Sequence, residues 1–283
     1  MSDPSILFDE TTLREAAALI GLGRRGREMV SQLHQRLDLF SIPFLVSDEP
    51  AAWRDRFGSK AGTESGDLTV PDLDFSGCDI MGILIVGAEY HNPEVVRMLQ
   101  QSLARDRPFL LLGIILPPPT GEPVRLDPRL RSVCDCLLDW PSDPVLPDDI
   151  SRLALAASDW LSPVLNAGLI CIDVVDIAGV FGRGEARTLL MGSASAPNDQ
   201  PVVAAHAVLA NLRAQGFIAN QCRGLLVVIR AGLDFTLKHL EDIDAVFQAL
   251  PFPDAVTRAM SVPDDQESAK KSLIRVTAFA MKS

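Results

Sequence analysis

The alternation of apolar and polar positions predicts strands and helices in turn through the first 165 residues. Residues 79–86 and 109–116 are uninterrupted apolar runs, which are typical of strands buried on both faces of a parallel sheet. Residues 93–104 separate these runs and carry apolar side chains at helical spacing. The same pattern predicts further strands at 17–20, 42–46 and 134–138, and further helices at 127–133 and 149–165. Strands that alternate with helices indicate a parallel sheet with helices on both faces.

The second half of the chain predicts a smaller α+β domain, separated from the first half by a long central helix. Pro163 within that helix predicts a kink or an early end. The remaining predicted elements are a helix within 171–180, a strand at 187–194, a helix at 200–215, a strand at 223–229, a helix at 237–249, and strands at 255–260 and 273–281. We therefore predict an α/β fold with a parallel-sheet, nucleotide-binding-type domain in residues 1–148, a central helix in 149–170 and an α+β domain in 171–283.

A glycine-rich turn follows the first predicted strand and opens the first predicted helix. Its Gly21-x-Gly23-x-x-Gly26 spacing matches the dinucleotide-binding fingerprint, and Asp48 follows the next strand, where an acid binds a ribose. Backbone N–H groups at the start of such a helix point outward and suit a phosphate. Glycines at this spacing also serve simply to let a strand and a helix pack closely, so both interpretations stand at this point.

Composition and charge exclude several classes of protein. The net charge of −11 and the pI near 4.8 argue against nucleic acids and anionic membranes as general partners. No apolar run reaches the ~18–20 residues that span a bilayer, and no leader-peptide pattern is seen at the N-terminus. The four histidines do not cluster, so no metal site is predicted. Five cysteines without a pairing pattern indicate buried thiols in a reducing cytoplasm.

Three motifs in the second half resemble the C-terminal domain of the bacterial cell-division protein FtsZ. They are ARTLLMGSA at 186–194, AAHAVLA at 204–210 and RGLLVVIRAGLDFTL at 223–237. The order of the predicted elements around them also matches that family. The resemblance covers roughly residues 16–281, with its specific motifs in 171–281. It implies an FtsZ/tubulin-like fold, in which residues 21–26 form the first glycine loop of a GTP site.

The resemblance also implies assembly head to tail, with an acidic loop of one subunit completing the nucleotide site of the next. That loop corresponds to residues 171–176, where Asp173 and Asp176 match the family's two aspartates and Cys171 replaces its asparagine. Carboxylates in this place orient a water and bind a counter-cation for attack on a γ-phosphate. A structural alternative is that Asp173 caps a helix and Asp176 is an acid of its first turn.

The nucleotide half departs from the family pattern. At the second phosphate loop only Gly87 remains of a run of glycines, and Glu89 adds a negative charge where a triphosphate would lie. Arg24 and Arg25 replace glycines of the first loop. They hold phosphates in place of the lost N–H groups, or they fill an emptied pocket or pair with Glu89, or they are simply solvated. The candidate nucleotide-binding residues are Gly21, Gly23, Arg24, Arg25, Gly26 and Gly87, and the candidate catalytic residues are Asp173 and Asp176.

These departures predict an FtsZ-like cytoskeletal protein that is a weak or inactive GTPase and that assembles into filaments or regulates them, as in cell-division machinery. GTP or GDP is the implied ligand, and the loss of glycines argues against its binding. The acid that would recognise the base is either Asp149 or Asp159. The expected partners are copies of this chain or FtsZ-like subunits, with no nucleic acid and no direct insertion into a membrane.

Two alternatives stay open. A Rossmann-type NAD(P)-dependent oxidoreductase explains the first 50 residues through Gly21, Gly23, Gly26 and Asp48, but it explains nothing in residues 171–281. The other alternative is a scaffold with an empty pocket, which self-associates by the same head-to-tail surfaces.

Overall fold

Strands and helices follow one another in the order that the apolar pattern predicts. The computed structural model describes residues 17–36, 44–47, 81–87, 90, 93, 96–97, 99–101, 110–117, 127–140, 149–165, 172–184, 186–232, 234–251, 256–263 and 273–282. Within these ranges the strands are β1 (Ala17–Leu22), β2 (Phe44–Ser47), β3 (Met81–Gly87), β4 (Leu110–Leu116), β5 (Cys136–Asp139), β6 (Arg187–Pro197), β7 (Cys222–Ala231), β8 (Val256–Pro263) and β9 (Leu273–Lys282). The helices are α1 (Gly23–Arg36), α2 (Pro128–Val133), α3 (Asp149–Leu165), α4 (Val174–Phe181), α5 (Pro201–Ala214) and α6 (Leu237–Gln248). The helix predicted at 93–104 is described only in part, where Val96 and Leu99 are helical and buried.

One nine-stranded sheet, in the order β2-β1-β3-β4-β5-β6-β9-β7-β8, joins the described strands of both halves. All neighbouring pairs from β2 to β6 are parallel, as the apolar runs in β3 and β4 predict. β9, the last described strand in sequence, lies between β6 and β7 and is antiparallel to both, and β8 is parallel to β7. The carboxyl ends of β1, β3, β4 and β5 therefore lie at one edge of the sheet. The predicted domain boundaries at residues 148 and 170 stay a prediction.

The junction between the two halves of the sheet is short. β5 pairs with β6 only from Cys136↔Arg187 to Leu138↔Leu189. Beyond Leu189, β6 continues to Pro197 and pairs, among the described residues, with β9 alone. No strand within the described residues pairs with most of the β6 edge that faces away from β9; we call it the open edge.

Apolar side chains cover both faces of the sheet. The core on the α3 face combines residues of the first half with Leu189, Leu226 and Phe279 of the second half. The opposite face carries two separate cores, one around β3 and β4 and one under α5 and α6. Trp160 of α3 is fully buried, and its ring centroid lies 5.5 Å from that of Phe181 and 5.3 Å from that of Phe279. α3 is therefore packed against both halves of the chain.

Pro163 does not end α3 early. The helix passes this proline and ends at Leu165. A proline inside a helix costs about 3 kcal/mol, because it removes one hydrogen bond and its ring crowds the preceding turn. The adjacent turn buries Trp160 and Leu161 completely, and this packing outweighs the local cost.

The described cysteines are buried free thiols. Cys134, Cys136 and Cys222 form no disulfide, and Cys78 and Cys171 lie outside the described residues. Burial raises the pKa of the Cys136 and Cys222 thiols above the ordinary value. These thiols are therefore protonated and unreactive at neutral pH, in agreement with their interpretation from sequence.

Candidate functional site

The glycine turn lies at the carboxyl edge of the sheet. β1 ends at Leu22 and α1 begins at Gly23, whose φ of 74° lies in the left-handed region that glycine adopts without strain. In α/β folds, ligand phosphates bind at this edge, next to the N–H groups of the helix that follows the first strand. The position of the turn is therefore compatible with the predicted nucleotide site.

The other two glycines of the turn lie against protein backbone. A Cβ on Gly21 would lie 2.7 Å from the carbonyl oxygen of Gly26, and a Cβ on Gly26 would lie 2.5 Å from the carbonyl oxygen of Ile85 in β3. Side chains do not approach backbone this closely, so both glycines are needed for α1 to pack against β1 and β3. Gly21 and Gly26 therefore both let strand and helix pack closely, which is one of the two interpretations of the glycine spacing.

Arg25 crosses the carboxyl edge of the sheet. Its side chain is half-buried, and Nη1 donates a hydrogen bond to the carbonyl oxygen of Pro117, the residue after β4. Because β3 lies between β1 and β4, the arginine spans the end of β3, where Gly87 is buried. Neighbouring strands are ~4.8 Å apart and β4 is two strands away from β1, so the Arg25 side chain reaches across about 10 Å. Arg24 is exposed.

Two residues predicted to act near the turn, Glu89 and Asp48, lie outside the described residues. The predicted pairing of an arginine with Glu89 therefore stays a prediction. Tyr90 donates its backbone N–H to the carbonyl oxygen of Gly87 at 3.0 Å. This bond holds Tyr90 against the end of β3.

Asp173 and Asp176 form a capping box at the start of α4. Asp173 Oδ1 accepts a hydrogen bond from the Asp176 N–H at 2.8 Å, and Asp176 Oδ2 accepts one from the Asp173 N–H at 3.1 Å. Both residues are exposed. Asp173 is therefore the N-cap of α4, as the structural alternative predicts. The capping box uses one oxygen of each carboxylate.

Replacing Asp173 with alanine is expected to lower the free energy of unfolding by about 1 kcal/mol, because α4 loses its N-cap. Asp173→Ser keeps a side-chain acceptor at this position and is expected to be as stable as the parent chain. Urea denaturation followed by circular dichroism measures both variants. An equal loss in the serine and alanine variants would contradict the capping role.

The glycine turn and the segment that follows α4 lie at opposite edges of the sheet. β6, which follows α4, begins at the amino end of β5, since Arg187 pairs with Cys136 and donates its N–H to the carbonyl oxygen of Asp135. Gly184, between α4 and β6, donates its N–H to Asp135 Oδ1 at 2.6 Å and so lies at the same amino edge. The acidic pair caps the other end of α4, one eight-residue helix away from this amino edge.

Asp159, one of the two candidates for base recognition, is buried in a polar cluster instead. Its Oδ1 accepts hydrogen bonds from Arg230 at 2.5 Å and Arg275 at 3.0 Å, and its Oδ2 accepts one from Thr277 at 2.6 Å. Only 1% of Asp159 is exposed. Both oxygens are occupied, so this carboxylate does not recognise a base. The cluster ties α3 to β7 and β9.

Two kinds of site are absent from the part of the chain that the structure describes. No group of three or more His, Cys, Asp or Glu side chains is placed there to hold a metal ion. No helix within it is long and apolar enough to cross a membrane.

Known proteins match this chain in structure rather than in sequence. No model of a known protein family matches it, and no curated protein matches it. A mutant of FtsZ from M. jannaschii is similar with a TM-score of 0.67 at 12% identity, over 95% of this chain and 91% of that one. TubZ from Bacillus thuringiensis serovar israelensis, in a GTPγS-form protofilament, gives 0.58 at 12% identity over 95% and 88% of the two chains. CetZ from Methanosaeta thermophila gives 0.57 at 11% identity over 94% and 86%.

These matches extend over nearly the whole length of the chain and of each similar structure. They agree with the mostly parallel sheet, the long α3 and the strands β6 to β9. At 11–12% identity the likeness concerns the fold. The chain has an FtsZ/tubulin-like fold, as the motifs in residues 171–281 predict.

Proposed function

We propose that this chain is an FtsZ-like cytoskeletal subunit that assembles head to tail and hydrolyses GTP weakly or not at all. The observation that supports the proposal is that the glycine turn lies at the carboxyl edge of the sheet, while the C-terminal end of α4, the helix that the acidic pair caps, lies at the amino edge. Copies stacked in the same orientation bring the acidic pair of one to the glycine turn of the next. An FtsZ dimer and TubZ protofilaments have this fold, which supports self-association.

The segment that carries Asp173 and Asp176 is exposed and suits a contact with another subunit. Asp173 and Asp176 are exposed, and Val175 between them exposes 59% of its surface. In the proposed assembly the next subunit covers Val175, which removes an apolar side chain from water. The two carboxylates then face the carboxyl edge of that subunit.

The glycine turn at the carboxyl edge of the sheet fits a triphosphate poorly. Gly21 and Gly26 meet protein backbone where a Cβ would lie, so neither position is open space for a phosphate. Arg25 occupies the end of β3 through its hydrogen bond to Pro117. No hydrolysis step is therefore assigned to a filament of this chain alone. Asp173 and Asp176 instead serve a neighbouring subunit with an intact glycine loop, in a co-polymer with an active FtsZ-like protein of the cytoplasmic cell-division machinery.

Denaturation of the purified chain tests the nucleotide half of the proposal. Chromatography of the released small molecules is expected to find no stoichiometric GTP or GDP. Sedimentation of the chain alone is expected to give the same pellet with and without GTP. Micromolar GTP binding together with turnover by the purified chain alone would overturn the proposal. Binding of NAD(H) in place of GTP would favour the oxidoreductase, which the structural matches do not support.

Co-sedimentation with an active FtsZ tests the head-to-tail contact. The parent chain is expected to enter the FtsZ pellet and to sustain its GTP turnover. Asp173→Ser keeps the cap of α4 but removes a carboxylate, so this variant is expected to enter the pellet with reduced turnover. Asp242→Asn, an exposed substitution on α6, is the matched control. Equal turnover with all three chains would show that the acidic pair has no role in hydrolysis.

Arg25→Gly is expected to raise the affinity for GTP by roughly tenfold or more, because it removes a side chain bonded across the end of β3. Arg24→Gly removes the same charge at an exposed neighbouring position and is expected to change the affinity little. Titration with a fluorescent GTP analogue measures both variants. A lower affinity in Arg25→Gly than in the parent would mean that Arg25 holds phosphate instead of excluding it.

A further inference from the structure

A cleft of about 480 Å³ opens between the end of β5 and the open edge of β6. Pockets for small molecules in proteins commonly measure about 300–1,000 Å³. None of its lining residues belongs to the glycine turn or the acidic pair. Its lining includes Trp140, Arg152, Leu155, Ser193, Ser195 and Arg275.

Backbone N–H groups of β6 face this cleft. Arg187 donates its N–H toward β5, so every second residue from Arg187 onward turns its backbone groups to the same side. The N–H of Met191 therefore faces the carbonyl of Asp139, the last residue of β5. The N–H groups of Ser193 and Ser195 lie beyond the end of β5 and point away from β9. These two groups are donors along one wall of the cleft.

Two carbonyl groups of the same edge, those of Met191 and Ser193, already accept side-chain hydrogen bonds. Gln215 Nε2 donates to the carbonyl oxygen of Met191 at 2.7 Å, and Asn211 Nδ2 donates to that of Ser193 at 2.9 Å. An added β-strand needs both donors and acceptors along an edge. This edge offers donors in excess, which suits a ligand that only accepts hydrogen bonds.

The charged and apolar side chains of the cleft favour the same class of ligand. Arg152 and Arg275 both line it, in a chain of net charge −11. The one carboxylate at its wall, Asp159, is paired with Arg230 and Arg275. The Arg152 guanidinium lies 5.6 Å from the centroid of the Trp140 ring, so cation and aromatic surface are adjacent.

We infer that this cleft binds a small organic oxyanion, a carboxylate or a phosphate monoester, through the N–H groups of Ser193 and Ser195 together with Arg152. The apolar part of the ligand lies against Trp140 and Leu155. Arg152 and the two N–H groups neutralise the oxyanion, as guanidinium and N–H groups do in other anion sites. This inference does not depend on the proposed function, since it involves neither the glycine turn nor the acidic pair.

Amide resonances of the full chain, labelled with ¹⁵N, test the inference in titrations with phenyl phosphate, benzoate and benzyl alcohol. The resonances of Ser193 and Ser195 are expected to shift saturably with at least one anion, which binds roughly tenfold or more tightly than the neutral alcohol. A response to phenyl phosphate alone identifies a phosphate site, and a response to benzoate alone identifies a carboxylate site. No saturable shift with either anion, or an equal response to the alcohol, would overturn the inference.

Two substitutions locate the binding groups. Arg152→Gln removes the charge beside Trp140, and Ser195→Pro removes one N–H that bonds to no neighbouring strand, a position where an edge strand tolerates proline. Each is expected to weaken anion binding roughly tenfold. Arg213→Gln removes the same charge from an exposed position on α5 outside the cleft and is expected to have no effect. If Ser195→Pro does not fold, the anion affinity of Arg152→Gln tests the site alone. An equal loss of anion affinity in Arg213→Gln would refute the site.

Discussion

Asp159→Asn is expected to lower the free energy of unfolding by about 3–5 kcal/mol. The carboxylate accepts hydrogen bonds from Arg230, Arg275 and Thr277 in a place that is 1% exposed. The amide keeps the shape of the side chain but leaves two arginines without their counter-charge. Because the lost charge is buried, its removal costs the desolvation of the remaining cations as well as the bonds themselves.

Urea denaturation at equilibrium measures this effect. Asp242→Asn is the matched control, because Asp242 pairs with Lys238 at 2.8 Å on the exposed surface of α6, where Lys238 is 70% exposed. Exposed ion pairs contribute little to stability, so the urea midpoint of the control is expected to equal that of the parent chain. A similar midpoint in Asp159→Asn and the parent would show that the cluster does not hold α3 to β7 and β9.

Gly26→Ala is expected to lower the free energy of unfolding by about 3 kcal/mol, at the upper end of the cost of overpacking. The added Cβ would lie 2.5 Å from the carbonyl oxygen of Ile85. Its neighbour is the backbone of a central strand and not the end of a flexible side chain, so α1 has to move away from β3. Movement of α1 also displaces Arg25 from Pro117.

Gly179→Ala in α4 is the control for the glycine experiment. No atom lies within 4 Å of a Cβ at this position, and the substitution replaces glycine by alanine within a helix. It is therefore expected to raise the stability by about 0.5–1 kcal/mol. If α1 packs against β3 as closely as described, thermal and urea unfolding will show a loss of stability in Gly26→Ala and a gain in Gly179→Ala. A loss of the same size in both variants would contradict it.

The fold follows from the sequence where the apolar pattern is strong. The runs at 79–86 and 109–116 become β3 and β4, with bounds that differ by at most two residues. The alternation of strands and helices and the motifs in the second half together specify an FtsZ/tubulin-like fold, which the structural matches confirm. Burial on both faces leaves a continuous apolar run, so central strands are the elements that a sequence reveals most directly.

Polar contacts between distant residues could not be predicted in the same way. Arg25 bonds to a residue 92 positions away, and Asp159 to partners 71, 116 and 118 positions away. A sequence pattern shows which face of an element is buried but not which distant element covers it. One signal was present, since Asp159 follows Ala156 by three positions and so lies on the buried side of α3. A carboxylate there requires a buried partner. The short pairing of β5 with β6 likewise depends on tertiary packing.

The location of β9 between β6 and β7 bears on how the protein is made. The ribosome synthesises β6 and β7 before Leu273–Lys282, yet that segment is the one described strand that joins them. Until Lys282 has been synthesised and released, both strands expose unpaired edges, and Thr277 and Arg275 are missing from Asp159. Nascent chains that stall before residue 273 are therefore expected to keep this half unfolded and to need protection from aggregation.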